Sequence, residues 1–169
     1  MTTTSHPGQD EGPRRAGRAQ DPPITDPYRH DKKLHEPTVC PQCGAVYLAG
    51  RWQWAARPAA AEEELCPACH RIKDRMPAGV VTLMGGFLVQ HRGEILDIVH
   101  RQEEIEKAEH PFNRIMTIEE AGGQIVVNTT DIHLPRRIAE ALKSAFDGEA
   151  HFTYDEDGYF LRADWRRDI

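Results

Sequence analysis

From Gly79 onward the apolar positions recur with two periods. "GVVTLMGGFLV" is apolar and β-branched, which predicts a strand, with Gly85-Gly86 as a bulge. "GEILDIVHRQEEIEKAEH" places Ile95, Ile98, Val99 and Ile105 near one helical face, and His110-Pro111 stops that helix. "NRIMTIEE" alternates Ile115, Thr117 and Glu119 against Met116 and Ile118; "QIVVNTT" is its partner strand across the "AGG" turn. Asp131 or Thr130 can cap the next helix, with Pro135 in its first turn. Its apolar face is Leu134, Ile138, Leu142 and Phe146, and Asp147-Gly148 ends it. "EAHFTYDEDGYFLRADW" reads as two strands around an Asp157-Gly158 hairpin turn. Strand, helix, strand, strand, helix, strand, strand predicts a ferredoxin-like split βαβ with an extra C-terminal hairpin strand. The class is α+β, with two helices on one face of a mainly antiparallel sheet.

The rest of the chain is patterned differently. Residues 1–37 are rich in Pro, Gly, Asp, Arg and Thr, with few apolar positions to offset ordering entropy. They predict a disordered tail of balanced charge. Residues 38–78 form a second module, a zinc-knuckle (zinc-ribbon-like) unit that precedes the α+β domain at 79–169. Between its cysteine pairs, "RPAAAEEEL" permits a short helix or a mobile insertion.

Cys40, Cys43, Cys66 and Cys69 form two C-x-x-C turns about 22 residues apart. Each turn directs two sulfurs to one point, and four thiolates satisfy tetrahedral zinc without an open position. Such a closed site is structural rather than catalytic. Iron takes the same ligands, and a redox dithiol is the further alternative, though it needs only one pair. Gly44 supplies a backbone without Cβ at the first knuckle.

Trp52 and Trp54 follow the first knuckle, with Arg51 and Arg57 beside them, and Arg71 follows the second. Exposed, these residues make a stacking platform with phosphate contacts, as in RNA binding. Buried, the indoles are the cover of a small domain short of core. Arg136 and Arg137, in "NTTDIHLPRRI", offer a second basic surface near a helix start.

Composition limits the choices. The 169 residues carry a net charge of −6, and the nine histidines match no catalytic metal spacing. From Gly79 on, 10 basic residues face 17 acidic ones, so any RNA contact must be local. No apolar run approaches the roughly 18 residues of a membrane span, and the N-terminus lacks the apolar stretch of a secretory signal. A cytoplasmic, non-enzymatic protein without a membrane partner is expected, its cysteines reduced and available to metal.

"CPQCGAVYLAGRW", "LCPACHRI", "HPFNRIM", "TTDIHLPRRIAEAL" and "LRADW" together resemble a family of uncharacterised bacterial zinc-knuckle proteins associated with low-oxygen-activated loci. That resemblance implies a role in stress or dormancy. The paired knuckles and "TTDIHLPRRIAEALKSAFDGEAHFTYDEDGYFLR" are similar to the archaeal form of the large-ribosomal-subunit export adaptor of the nonsense-mediated-decay-protein-three type. This second resemblance implies binding to a ribosomal particle; that family usually has two zinc sites, where this chain has four cysteines in one set. The expectation is a zinc protein binding ribosomal RNA or a ribosomal particle through Arg51, Trp52, Trp54, Arg71, Arg136 and Arg137. The alternative is a protein-interaction or regulatory adaptor.

Overall fold

The computed structural model describes residues 26–29, 33–156 and 159–169. Most of the expected tail and the Asp157-Gly158 turn lie outside the described residues. Among those described, no helix is long and apolar enough to cross a membrane.

The cysteine-bearing segment is built from minimal strands. β1 (Thr38–Val39) pairs antiparallel with β2 (Val46–Leu48), which pairs antiparallel with β3 (Arg51–Gln53). The stretch expected to be a helix or mobile insertion instead forms β4 (Glu62–Glu63), parallel to β1. Glu62 donates its amide to the Pro37 carbonyl and Glu64 to that of Val39, both at 3.1 Å. A helix this short is marginal by itself, and these sheet bonds satisfy its backbone instead. α1 (Pro67–Asp74) follows, ending at Arg75 in the left-handed conformation.

The larger unit is α+β, with helices layered on one face of a five-stranded mixed sheet. β5 (Gly79–Met84) stops where Gly85 takes φ 107° and the chain turns into α2 (Gly86–Gln90). Gly85-Gly86 is therefore a strand-to-helix junction rather than a bulge. A Cβ on Gly85 would lie 2.1 Å from the Arg167 carbonyl oxygen, so the close approach requires glycine. α3 (Arg92–Glu109), β6 (Ile115–Ala121), β7 (Gln124–Thr129), α4 (His133–Phe146), β8 (Glu149–Tyr154) and β9 (Leu161–Arg166) complete the chain.

The sheet order is β6-β7-β5-β9-β8. β5, β6 and β7 have the split βαβ order, with β7 antiparallel between the other two. On the other side, β9 lies beside β5 and runs parallel to it, and β8 takes the edge. Three of the four pairings are antiparallel, as expected, and the final hairpin adds the single parallel pairing that makes the sheet mixed. Nothing in a strand's own sequence states which of two hairpin strands enters the sheet interior.

One core closes this unit. Val81, Leu83, Val127, Ala163 and Trp165 of the sheet pack on Ile95 and Val99 of α3 and on Leu134, Ile138 and Leu142 of α4. β5 alternates buried and half-buried residues, as a sheet with one covered face requires. β6 departs from strict alternation: an irregularity between Ile115 and Thr117 brings both Ile115 and Ile118 against the core. Ile105, expected on the apolar face of α3, is exposed. Beyond Val99 the helix is docked by polar contacts, with Glu103 accepting from the Ile115 amide and Glu106 from Asn113 Nδ2.

Candidate metal centre

The two knuckles reach the same point by different local structures. In the first, Gly44 at φ 79° donates its amide to the Cys40 carbonyl at 2.9 Å, and Cys40 donates to Ala45 at 2.8 Å. In the second, Cys66 caps α1 and Pro67 starts it, where a missing N–H costs nothing. The Cys69 amide points at Cys66 Sγ, 3.4 Å away. The sulfurs of Cys40, Cys43, Cys66 and Cys69 all lie within 4.8 Å of one another. Cys40, Cys66 and Cys69 are buried and Cys43 half-buried.

Four soft sulfurs this close fit a single metal ion. Cys43 and Cys66 share a hydrogen bond at 3.7 Å. That bond holds the Cys43 thiol down at about 4, with further help from the nearby Arg114 charge, and pushes Cys66 up, as does burial. A metal ion would take the place of the shared proton. With all four sulfurs used, no protein-free coordination position remains for a substrate.

Arg114 is the residue the sequence reading missed. It comes from the segment between α3 and β6, is only 8% exposed, and donates from Nη2 to Cys66 Sγ at 3.3 Å and Cys69 Sγ at 3.4 Å. Its motif, "HPFNRIM", was visible, but no local signal connects it to cysteines over forty residues earlier.

The residues expected to form one RNA platform are divided between buried and exposed positions. Trp52 is 9% exposed, edge-on to Tyr47 at 5.6 Å and Phe112 at 6.5 Å, and it covers the cysteine cluster. Arg71 is 3% exposed. It pairs with Asp26 at 2.6 Å, donates to the Met76 carbonyl at 3.1 Å and lies 4.3 Å from the Tyr28 ring. Both residues serve packing, because a small apolar cluster recruits every large side chain nearby. Trp54 is 36% exposed and donates to the Lys107 carbonyl at 2.6 Å, tying the cysteine segment to α3. Arg51 is exposed. Arg136 packs over Phe152 at 4.1 Å and bonds Tyr154 at 3.1 Å, while Arg137 pairs with Glu106 at 3.4 Å.

A cleft of about 640 Å³ opens beside the cysteine cluster. Arg51, Trp52, Phe112, Asp131, His133 and Tyr159 are among its walls; Arg136 and Arg137 are not in it. Asp131, 3% exposed, accepts from the amides of His133 at 2.8 Å and Leu134 at 3.3 Å, capping α4 as expected. Burial raises its pKa to about 7, against the pull of those two amides, and Glu106 and Asp26 add to the rise. Burial likewise raises Tyr159 to about 12, with Asp131 contributing.

The raised Asp131 pKa has a sign that can be checked. Between the unfolded value near 4 and about 7, the folded chain holds a proton that the unfolded chain has lost. This group's contribution to stability therefore falls as pH rises through that window and is level above it. Asp131→Asn keeps a capping oxygen without the charge. Denaturant unfolding at pH 5 and pH 8 should show the parent losing more stability than Asp131→Asn; equal losses would refute the assignment.

The fold and site define an α+β protein with a largely buried four-cysteine cluster that fits one metal ion, and an adjoining cleft. No protein-family model, curated protein or solved structure matches the chain.

Proposed function

We propose that this chain is a non-enzymatic zinc protein that binds RNA of a ribosomal particle in the cleft beside its metal centre. The carrying observation is the juxtaposition of a closed four-sulfur set with a cleft that exposed Arg29, Lys33 and Arg51 line. A closed set favours zinc as a structural ion, since zinc needs no redox partner and accepts tetrahedral sulfur. Phosphates suit the cations, and the aromatic floor of Trp52 and Phe112 gives bases an apolar wall. Arg51, exposed on the cleft wall, is the leading phosphate contact, and Trp54 lies outside the cleft lining. Arg136 and Arg137 form a separate surface engaged by acidic neighbours.

The larger unit reads best as a ferredoxin-like split βαβ whose fourth strand position has been taken by a hairpin. The resemblance to low-oxygen-associated bacterial proteins and to the ribosomal export adaptor supports a cytoplasmic role on ribosomal particles under stress. The net acidity after Gly79 favours a second reading, a protein adaptor.

Cosedimentation with ribosomes from oxygen-limited cells at low salt separates the two. Association that nuclease abolishes supports RNA binding, and Arg51→Ala should then lower the slope of log affinity against log salt by roughly 0.7. Free protein at the gradient top would sink the RNA reading. A nuclease-insensitive protein partner would establish the adaptor.

A further inference from the structure

We propose that Arg114 is the counter-charge of the metal centre, so that metal binding also fastens the cysteine segment to the larger unit. Four thiolates around a divalent ion leave a net charge of −2, a costly burden in a buried site. The guanidinium of Arg114 answers half of it, touching two of the four sulfurs. Its dependence is mutual. Arg114 is itself buried, and among the described residues its Nε finds no hydrogen-bond partner and its guanidinium no carboxylate. Cysteine sulfurs are the anions on hand for this cation, which makes sense of its burial only when they are charged.

The backbone of Arg114 carries the link onward. Its amide donates to Thr130 Oγ1 at 3.1 Å, and its carbonyl accepts from the Thr130 amide at 2.9 Å. Thr130 Oγ1 also donates to the Phe112 carbonyl. Thr130 precedes Asp131, the cap of α4. Cys66 and Cys69, Arg114, Thr130 and the α4 start thus form one connected set. Thr130 and Asp131 of that set, with Phe112 and Asn113 directly before Arg114 in the chain, also line the cleft. Filling the metal site therefore fixes the cleft's wall as well as the knuckles.

The inference rests on the four cysteines holding zinc and is independent of RNA binding. The test uses the full chain and zinc alone, with retention read by competition against a chromophoric chelator. Arg114→Met should weaken zinc retention by about 10–100-fold, the usual effect of losing a partner to a metal ligand. Arg114→Lys, which keeps the charge, should restore part of it. With cobalt in place of zinc, Arg114→Met should keep a tetrahedral four-sulfur spectrum while its sulfur-to-metal charge-transfer band moves to lower energy, because sulfur lone pairs lose two donors. A merely structural residue would not move that band. Unchanged retention together with an unmoved band would overturn the proposal. If Arg114→Met does not fold in excess zinc, Arg114→Gln is read by the same two criteria. A parent chain that binds no zinc would instead refute the metal reading itself.

Discussion

Cys40→Ser should release the metal and unfold the cysteine-bearing segment while the five-stranded unit stays folded. The segment has little else to hold it. Its strands are two or three residues long; Ala45, Trp52 and Ala68 are buried around the cysteines, and Val39 and Val46 are its small buried strand residues. Apparent zinc-binding energies of about 10–16 kcal/mol in small structural sites are folding energy, and a three-sulfur remnant forfeits most of it. The larger unit keeps its own core from Val81 to Trp165. It does not escape unchanged. Arg114 loses its sulfurs, Phe112 loses Trp52 and the Lys107 carbonyl loses Trp54, which should lower its stability by about 1–3 kcal/mol. Metal stoichiometry, tryptophan emission shifted to the red and a retained but earlier sheet transition are the expected observations. Loss of all folded structure would show that the two parts are one cooperative unit.

Trp165→Ala should cost about 3–5 kcal/mol, the range for truncating a buried aromatic. Trp165 is fully buried on β9, beside Phe87 at 6.5 Å between ring centres. Its Nε1 donates to the Asp147 carbonyl at 2.9 Å, serving a group at the end of α4 that has lost its helical partner. Truncation leaves both a void and an unmet acceptor. Because whole domains are stable by only about 5–15 kcal/mol, the urea midpoint should fall sharply. Trp165→Phe fills most of the space and should cost less, roughly 1–2 kcal/mol, chiefly the hydrogen bond. A cost below 1 kcal/mol for Trp165→Ala would contradict the assigned core.

Both substitutions touch features of unequal visibility in the sequence. The cysteine spacing marks the metal centre because a C-x-x-C turn is a local device: two sulfurs converge through bonds within four residues. Helix α4 was equally legible, from the Asp131 cap through the Leu134, Ile138 and Leu142 stripe to Asp147-Gly148, since each signal acts within one or two turns. The apolar stripe of α3 was legible only to Val99, because its continuation at Ile105 depends on whether the neighbouring sheet extends that far. The alternation of β6 misled for a similar reason; the pairing with β7 sets its irregularity.

By itself, then, the chain's sequence determined what short-range physics controls: periods, caps, turns and the set of four thiols. Tertiary structure alone decided what those elements face. It placed β9 rather than β8 beside β5. It buried Trp52 and Arg71, the latter through an ion pair with a residue 45 positions away, and left Arg51 and Trp54 outside. It brought Arg114 to sulfurs 45 and 48 positions earlier. A side chain's charge and size are written at its own position, whereas its exposure and counter-ion are set by distant segments that fold against it.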